Sequence, residues 1–141
     1  MSGQSPVLVT IETQINAPMA KVWDYFTLPE HITQWNFATE EWHTPWARSD
    51  FRVGGEFTSR MEARDGSMGF DFSGRFDDIQ PHRLVAYTIG DGRKVAVHFS
   101  EAGPQVLIRE EFEAEIVNPV DLQRMGWQAI LDNFKKYTES N

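Results

Sequence analysis

The apolar positions at the start of the chain alternate with a period of two. Val7, Val9, Ile11, Thr13 and Ile15 oppose Leu8, Thr10, Glu12, Gln14 and Asn16. That pattern predicts a strand with one buried face. Pro18 sits where a first helical turn tolerates proline, and Val22, Trp23 and Phe26 recur at helical spacing. Pro29 opens a second short helix expected to end near Gln34 and Trp35. Residues 36–53 keep no clean period and are expected to form a long loop with brief ordered pieces. A loop of that length in a compact domain is either functional or a packed crossover.

From Gly54 the period of two returns as a meander of strands. Phe57, Ser59, Met61 and Ala63 face one way, with Glu56, Thr58, Arg60, Glu62 and Arg64 on the other side. Asp65-Gly66 is a hairpin signal, and the return strand places Met68, Phe70, Phe72, Gly74 and Phe76 inward. After the break at Pro81-His82, Leu84–Ile89 forms a strand whose inner face the pattern leaves undecided. Asp91-Gly92 turns the chain into Val95, Val97 and Phe99. Ala102-Gly103-Pro104 turns it again into a strand with Val106, Ile108, Glu110, Phe112, Ala114 and Ile116 on one face. A closing helix from 119 to about 138 gathers Leu122, Gly126, Ala129, Ile130, Phe134 and Tyr137 on one side, with Trp127 at its margin. An amphipathic helix laid on a curved antiparallel sheet follows, with element order β-α-α-β-β-β-β-β-α. This is an α+β fold with about six strands. The chain shows no internal repeat or linker-like break, so one domain over 1–141, with its core at about 7–138, is expected.

Composition narrows the chemistry. Zero cysteine excludes disulfide scaffolds, Cys-zinc sites, iron–sulfur clusters and thiol nucleophiles. A formal net charge of −8 disfavours nucleic acid and anionic membrane surfaces as partners. Residues 1–6 lack a basic stretch followed by an apolar core, and no apolar run approaches a membrane span of roughly 18 residues. A cytoplasmic setting is the expectation. The aromatic load is the unusual item: 10 Phe, 5 Trp and 3 Tyr, nine of them between Trp23 and Phe57. The four histidines, His31, His43, His82 and His98, show no metal-ligand spacing, and neither a metal nor an organic cofactor is expected. No nucleophile-elbow, Walker A or dinucleotide glycine pattern occurs.

Several short signatures, in order, resemble a known superfamily. They are Ala17-Pro18 before Val22-Trp23, Pro29-Glu30-His31 leading to Gln34-Trp35, Arg52-Val53-Gly54-Gly55, Asp65-Gly66, and Pro81-His82-Arg83-Leu84-Val85. Gly126-Trp127 with Leu131 completes the series. The chain resembles the helix-grip, START-like or SRPBCC superfamily over about Val9 to Tyr137. Within it, the chain is most similar to the branch named after the activator of the heat-shock-protein-90 ATPase. The resemblance implies a curved sheet gripping a long C-terminal helix, with a cavity between them. It carries no shared catalytic motif. In eukaryotic co-chaperones of that name the likeness covers one domain, and a separate N-terminal domain binds the chaperone; that second domain is not expected here.

Glu110 is the most informative polar residue, because it interrupts an otherwise apolar strand face. A carboxylate there is costly to bury charged, so it is either a cavity acid, a register break, or the partner of an inward arginine. Gly126 near the middle of the apolar helix face either leaves cavity volume or admits a bulky strand side chain such as Phe70 or Phe72. Asn133 either reaches the cavity or bonds loop backbone. Trp35, Trp42 and Trp46, with Phe37 and Phe51, either lid the cavity or anchor the loop.

The leading expectation is noncatalytic binding of a small hydrophobic molecule between sheet and C-terminal helix, driven by apolar burial at roughly 25 cal/mol per Å². Phe57, Met61, Phe70, Phe72, Val97, Phe112, Gly126, Ile130 and Phe134 supply candidate lining, Trp35 and Trp46 the mouth, and Glu110 or Asn133 a polar contact. Two other readings stand beside it. Superfamily relatives include polyketide cyclases and hydrolases, for which Glu110 would be the acid or base. An interaction protein, in contact with a chaperone or with itself, would instead display an apolar surface outside any cavity.

Overall fold

The computed structural model describes residues 7–141; the opening stretch read above for a secretory signal lies outside them. β1 (Leu8–Ile15) is followed by α1 (Met19–Thr27) and α2 (Pro29–Trp35). Two short strands, β2 (Trp42–His43) and β3 (Ala47–Ser49), are the brief ordered pieces of the long loop. The meander then runs through β4 (Glu56–Ala63), β5 (Gly69–Gln80), β6 (Leu84–Ile89), β7 (Lys94–Ala102) and β8 (Gln105–Glu113). α3 (Val120–Ser140) closes the chain, 21 residues or about 31 Å long.

All strand pairs are antiparallel, in the order β1-β8-β7-β6-β5-β4-β2, with β3 also paired to β4. The two short strands on β4 extend the expected sheet of about six to eight. The register shifts between Phe76 and Asp78, where β5 bends as it crosses onto β6. Gly66 and Gly92 adopt φ of 78° and 94° at the two Asp-Gly turns, a conformation that glycine enters without a Cβ penalty.

The core follows the alternation read from the sequence. Val9, Ile11 and Ile15 of β1 are buried, as are Val95, Val97 and Phe99 of β7 and Val106, Ile108 and Phe112 of β8. The undecided strand β6 turns Val85 and Ile89 inward. Leu131 and Phe134 of α3 complete this cluster, with Trp23 and Trp35 from the two short helices. Among the described helices none is long and apolar enough to cross a membrane.

Three expectations need correction. The buried line of α3 carries Gln123, Leu131, Phe134 and Thr138, whereas Leu122 is 56% exposed. The helix is rotated from the expected face because Gln123 turns inward. Its Nε2 donates to the carbonyls of Glu115 and Asn118 (3.0 and 2.8 Å), and its Oε1 accepts from Glu115 N (2.8 Å). Ile116, assigned to the inner face of the last strand, lies beyond its end and is fully exposed. Met68 and Phe70 are also exposed, because the start of β5 and its turn stand clear of the core.

Among the described residues no further strand pairs with the outer edge of β1. α3 side chains occupy its backbone groups instead: Gln128 Nε2 donates to Glu12 O (3.3 Å), Lys135 Nζ to Gln14 O (2.6 Å), and Asn16 N donates to Glu139 (2.7 Å). A sheet edge met in this way is blunted against pairing with another chain.

Candidate functional site

Between the inner face of the sheet and α3 lies a cavity of about 350 Å³. Its walls come from nearly every element. Phe26 and Thr27 end α1, Ile32 and Trp35 belong to α2, and Trp127, Ile130 and Leu131 project from α3. The sheet contributes Phe57, Ser59 and Met61 from β4, Phe70, Phe72 and Phe76 from β5, Val85 and Tyr87 from β6, and Glu110 from β8. The period of two aligns these side chains on one face of each strand. Arg48, Ser49 and Phe51 enter from the long loop, and Arg93 from the turn before β7.

The aromatic groups are held by one another. Phe26 stacks on Trp35 with centroids 5.2 Å apart, and both meet Phe134 edge-on at 5.1 and 4.9 Å. Trp35 Nε1 donates to Tyr25 O at 2.9 Å, which fixes the indole plane. Phe57 packs between Phe76 (5.1 Å) and Tyr87 (5.0 Å). Trp127 lies flat on Phe112, with centroids 4.1 Å apart and planes 9° from parallel. Such contacts add to area burial and leave the cavity with stiff walls.

Glu110 stands out against this lining. It is 7% exposed, pairs in register with Val97 of β7 and Ile11 of β1, and β8 runs past it without a register break. Burial pushes its carboxyl up to about 8, with no hydrogen bond or neighbouring cation working against that shift. The two arginines of the cavity are engaged elsewhere. Arg93 donates to Asp91 at 2.8 Å and to Glu113 O at 3.5 Å, while Arg48 lies over the Trp46 ring at 5.4 Å. Tyr87 shares the cavity, and its hydroxyl is held well above the ordinary tyrosine range by burial and by Glu110. Ser49, at the loop side, keeps a buried Oγ without a partner.

Seven of the thirteen expected site residues meet in this cavity: Trp35, Phe57, Met61, Phe70, Phe72, Glu110 and Ile130. The others lie elsewhere. Val97, Phe112 and Phe134 are fully buried in the packed core behind the cavity wall. Trp46 is 42% exposed beneath Arg48 and lies outside the lining. Asn133 donates to Phe37 O at 2.9 Å, so it fastens loop backbone to α3. Gly126 is also outside the lining, and a Cβ built there meets nothing within 4 Å. The close approach expected at Gly126 occurs instead at Gly74, where a Cβ would lie 2.7 Å from both Phe57 Cζ and Thr88 O.

Tyr87, Phe26 and Trp127 line the cavity without having been expected there. For Tyr87 the usable signal was the register of β6 on β7, which sets Tyr87 beside Val95 and Val85 beside Val97. The loop aromatics divide: Phe51 enters the cavity and meets Phe76 edge-on at 5.2 Å, while Trp42 meets Phe70 at 6.1 Å. Of the histidines, His31 Nδ1 pairs with Tyr137 OH (2.7 Å) over a stacked Tyr25 (3.9 Å). His98 and His43 face Glu111 and Glu62 at 3.2 and 3.8 Å. Among the described residues no three His, Cys, Asp or Glu side chains gather as a metal-binding group.

Comparison with known proteins agrees with this architecture. The solution structure of the AHSA1-like protein from Aeromonas hydrophila is 39% identical, with a TM-score of 0.90 over 95% of this chain and 93% of that one. The solution structure of Chr148 from Cytophaga hutchinsonii is 49% identical, with a TM-score of 0.81 over 94% and 92%. Protein CV1439 from Chromobacterium violaceum shares the fold at 19% identity, with a TM-score of 0.83 over 96% and 100%. No curated protein matches the chain. Residues 16–139 match the model of the family described as Activator of Hsp90 ATPase homolog 1-like protein, and the chain belongs to that family.

Proposed function

We propose that this protein binds a small, mainly hydrophobic molecule in the cavity between its sheet and α3, and that it does so without transforming it. The observation that carries this reading is the cavity itself, about 350 Å³ and walled largely by aromatic and aliphatic side chains. That volume lies at the lower end of the range of small-molecule sites. Glu110 and Tyr87 give the walls a polar spot that orients one end of the ligand. The family name speaks of a chaperone ATPase, but the aromatic groups converge on a concave site between sheet and helix.

A neutral apolar fluorophore, N-phenyl-1-naphthylamine, tests the reading. One equivalent is expected to bind, with enhanced probe emission and quenching of tryptophan emission, since Trp35 and Trp127 line the cavity. Native mass spectrometry of protein purified from its source should show a retained small molecule of roughly matching size. Absence of both signals would remove the cavity as a binding site. A retained molecule that is chemically altered on incubation would favour the second reading, a cavity enzyme using Glu110 as acid or base. The carboxyl near 8 is the observation behind that alternative.

A further inference from the structure

Resting on the binding reading above, we infer that the cavity selects an uncharged ligand with a hydrogen-bond acceptor, such as a carbonyl oxygen, at its buried end, and that Glu110 is the donor that reads it. The geometry leads. Glu110 lies on the floor of the cavity, on the strand two removed from Tyr87, with apolar partners Val97 and Ile11 on the flanking strands. Neither flanking strand offers its carboxyl a cation or a donor, and α3 meets the cavity only through Trp127, Ile130 and Leu131. The titratable groups sharing the space are Tyr87 of β6, Arg93 before β7 and Arg48 of β3. Both arginines are occupied by other partners. A buried polar group left without a partner is costly, so a ligand that supplies one gains selectivity over a pure hydrocarbon.

Protonation decides which ligand end fits. With its carboxyl raised to about 8, Glu110 carries its proton at neutral pH. It then presents an O–H donor, and the Tyr87 hydroxyl presents a second. A ligand carboxylate would add a desolvated charge beside Glu110. A ligand ammonium would require Glu110 to ionise inside the apolar walls, and the cationic Arg48 and Arg93 on the same cavity would repel the ammonium itself. An acceptor without charge meets neither obstacle.

Four 2-substituted naphthalenes of near-equal size separate these cases: the hydrocarbon 2-isopropenylnaphthalene, 2-acetylnaphthalene, 2-naphthoate and 2-naphthylmethylamine, titrated by calorimetry at pH 7. The ketone is expected to bind about five- to tenfold more tightly than the hydrocarbon and well above both ions. Its advantage over the hydrocarbon should hold from pH 6 to 7.5 and shrink above about pH 8, a loss of about five- to tenfold in all. Glu110→Gln, which keeps a donor, should preserve ketone binding and abolish that fall. Glu110→Leu should bring the ketone down to the level of the hydrocarbon. Equal affinity for ketone and hydrocarbon overturns the inference while leaving the binding reading intact. Tightest binding of the amine, strengthening from pH 6 to 8 with proton release, overturns it in favour of a cation site. If none of the four binds, the cavity reading fails and the inference falls with it.

Discussion

Trp127 of α3 lies parallel to Phe112 of β8, ring centroids 4.1 Å apart and planes 9° from parallel. This stack joins the helix to the strand that carries Glu110, and it sets the indole as part of the cavity wall. Phe112 is fully buried behind it. Trp127→Ala is therefore expected to lower stability by about 2–3 kcal/mol, the cost of removing a large, partly buried aromatic. Urea denaturation followed by circular dichroism measures this. The same variant should lose much of the tryptophan quenching caused by a cavity ligand. A loss below 0.5 kcal/mol would mean that the helix is held mainly by Leu131 and Phe134.

Most of the sheet was legible because its chemistry repeats every second residue. Val9, Ile11 and Ile15, then Val95, Val97 and Phe99, are buried as the alternation requires. The face of α3 was harder. Helical periodicity weighs side chains by polarity, so it chose Leu122 and left out Gln123. In the fold Gln123 is buried, since backbone groups of Glu115 and Asn118 satisfy its amide, while Leu122 is exposed. Nothing in a one-dimensional pattern registers that satisfaction. Glu110 was legible for the opposite reason: no local partner explains an acid on that face. Tyr87 was not, because deciding the inner face of β6 requires the register with β7.

Glu110 also sets a pH dependence of stability. Folding raises its carboxyl from the ordinary 4.5 to about 8. Between those values the native state keeps a proton that the unfolded chain releases, so stability falls as pH rises through the window. The decline from this group is at most about 1.4 kcal/mol per pH unit, and it ends once pH passes about 8. Glu110→Gln has no proton to lose in this window. Its melting temperature should approach that of the wild type at pH 4.5 and exceed it by a growing margin up to pH 8. Parallel curves for the two proteins would show that the carboxyl is solvated in the free cavity.

Gln123 fastens the turn between β8 and α3 through its three hydrogen bonds to the backbone of Glu115 and Asn118. Replacing it with alanine leaves the part-buried N–H and carbonyl of Glu115 and the carbonyl of Asn118 without those partners. The expected cost is about 1–3 kcal/mol. Amide hydrogen exchange localises the effect: protection should drop at Glu115 and in the first turn of α3, while the centre of β8 stays protected. A uniform drop throughout the domain would instead make this connection part of the global folding unit.

Gly74 in β5 and Gly126 in α3 should respond to alanine in opposite directions. At Gly126 a Cβ meets nothing within 4 Å, so alanine there adds helix propensity without a clash. A gain of about 0.5–1 kcal/mol is expected, with ligand affinity unchanged because Gly126 is outside the cavity lining. At Gly74 the same atom would fall 2.7 Å from the Phe57 ring and 2.7 Å from the carbonyl oxygen of Thr88. The ring can turn aside, but the carbonyl belongs to the β5–β6 ladder and cannot. Gly74→Ala should therefore cost about 1–3 kcal/mol, and by displacing Phe57 it should also weaken binding of a cavity ligand. Thermal melts of both variants, with one probe titration each, decide the matter. A stable Gly74→Ala with full ligand affinity would show that β5 and β6 separate there without cost and that Phe57 does not shape the cavity.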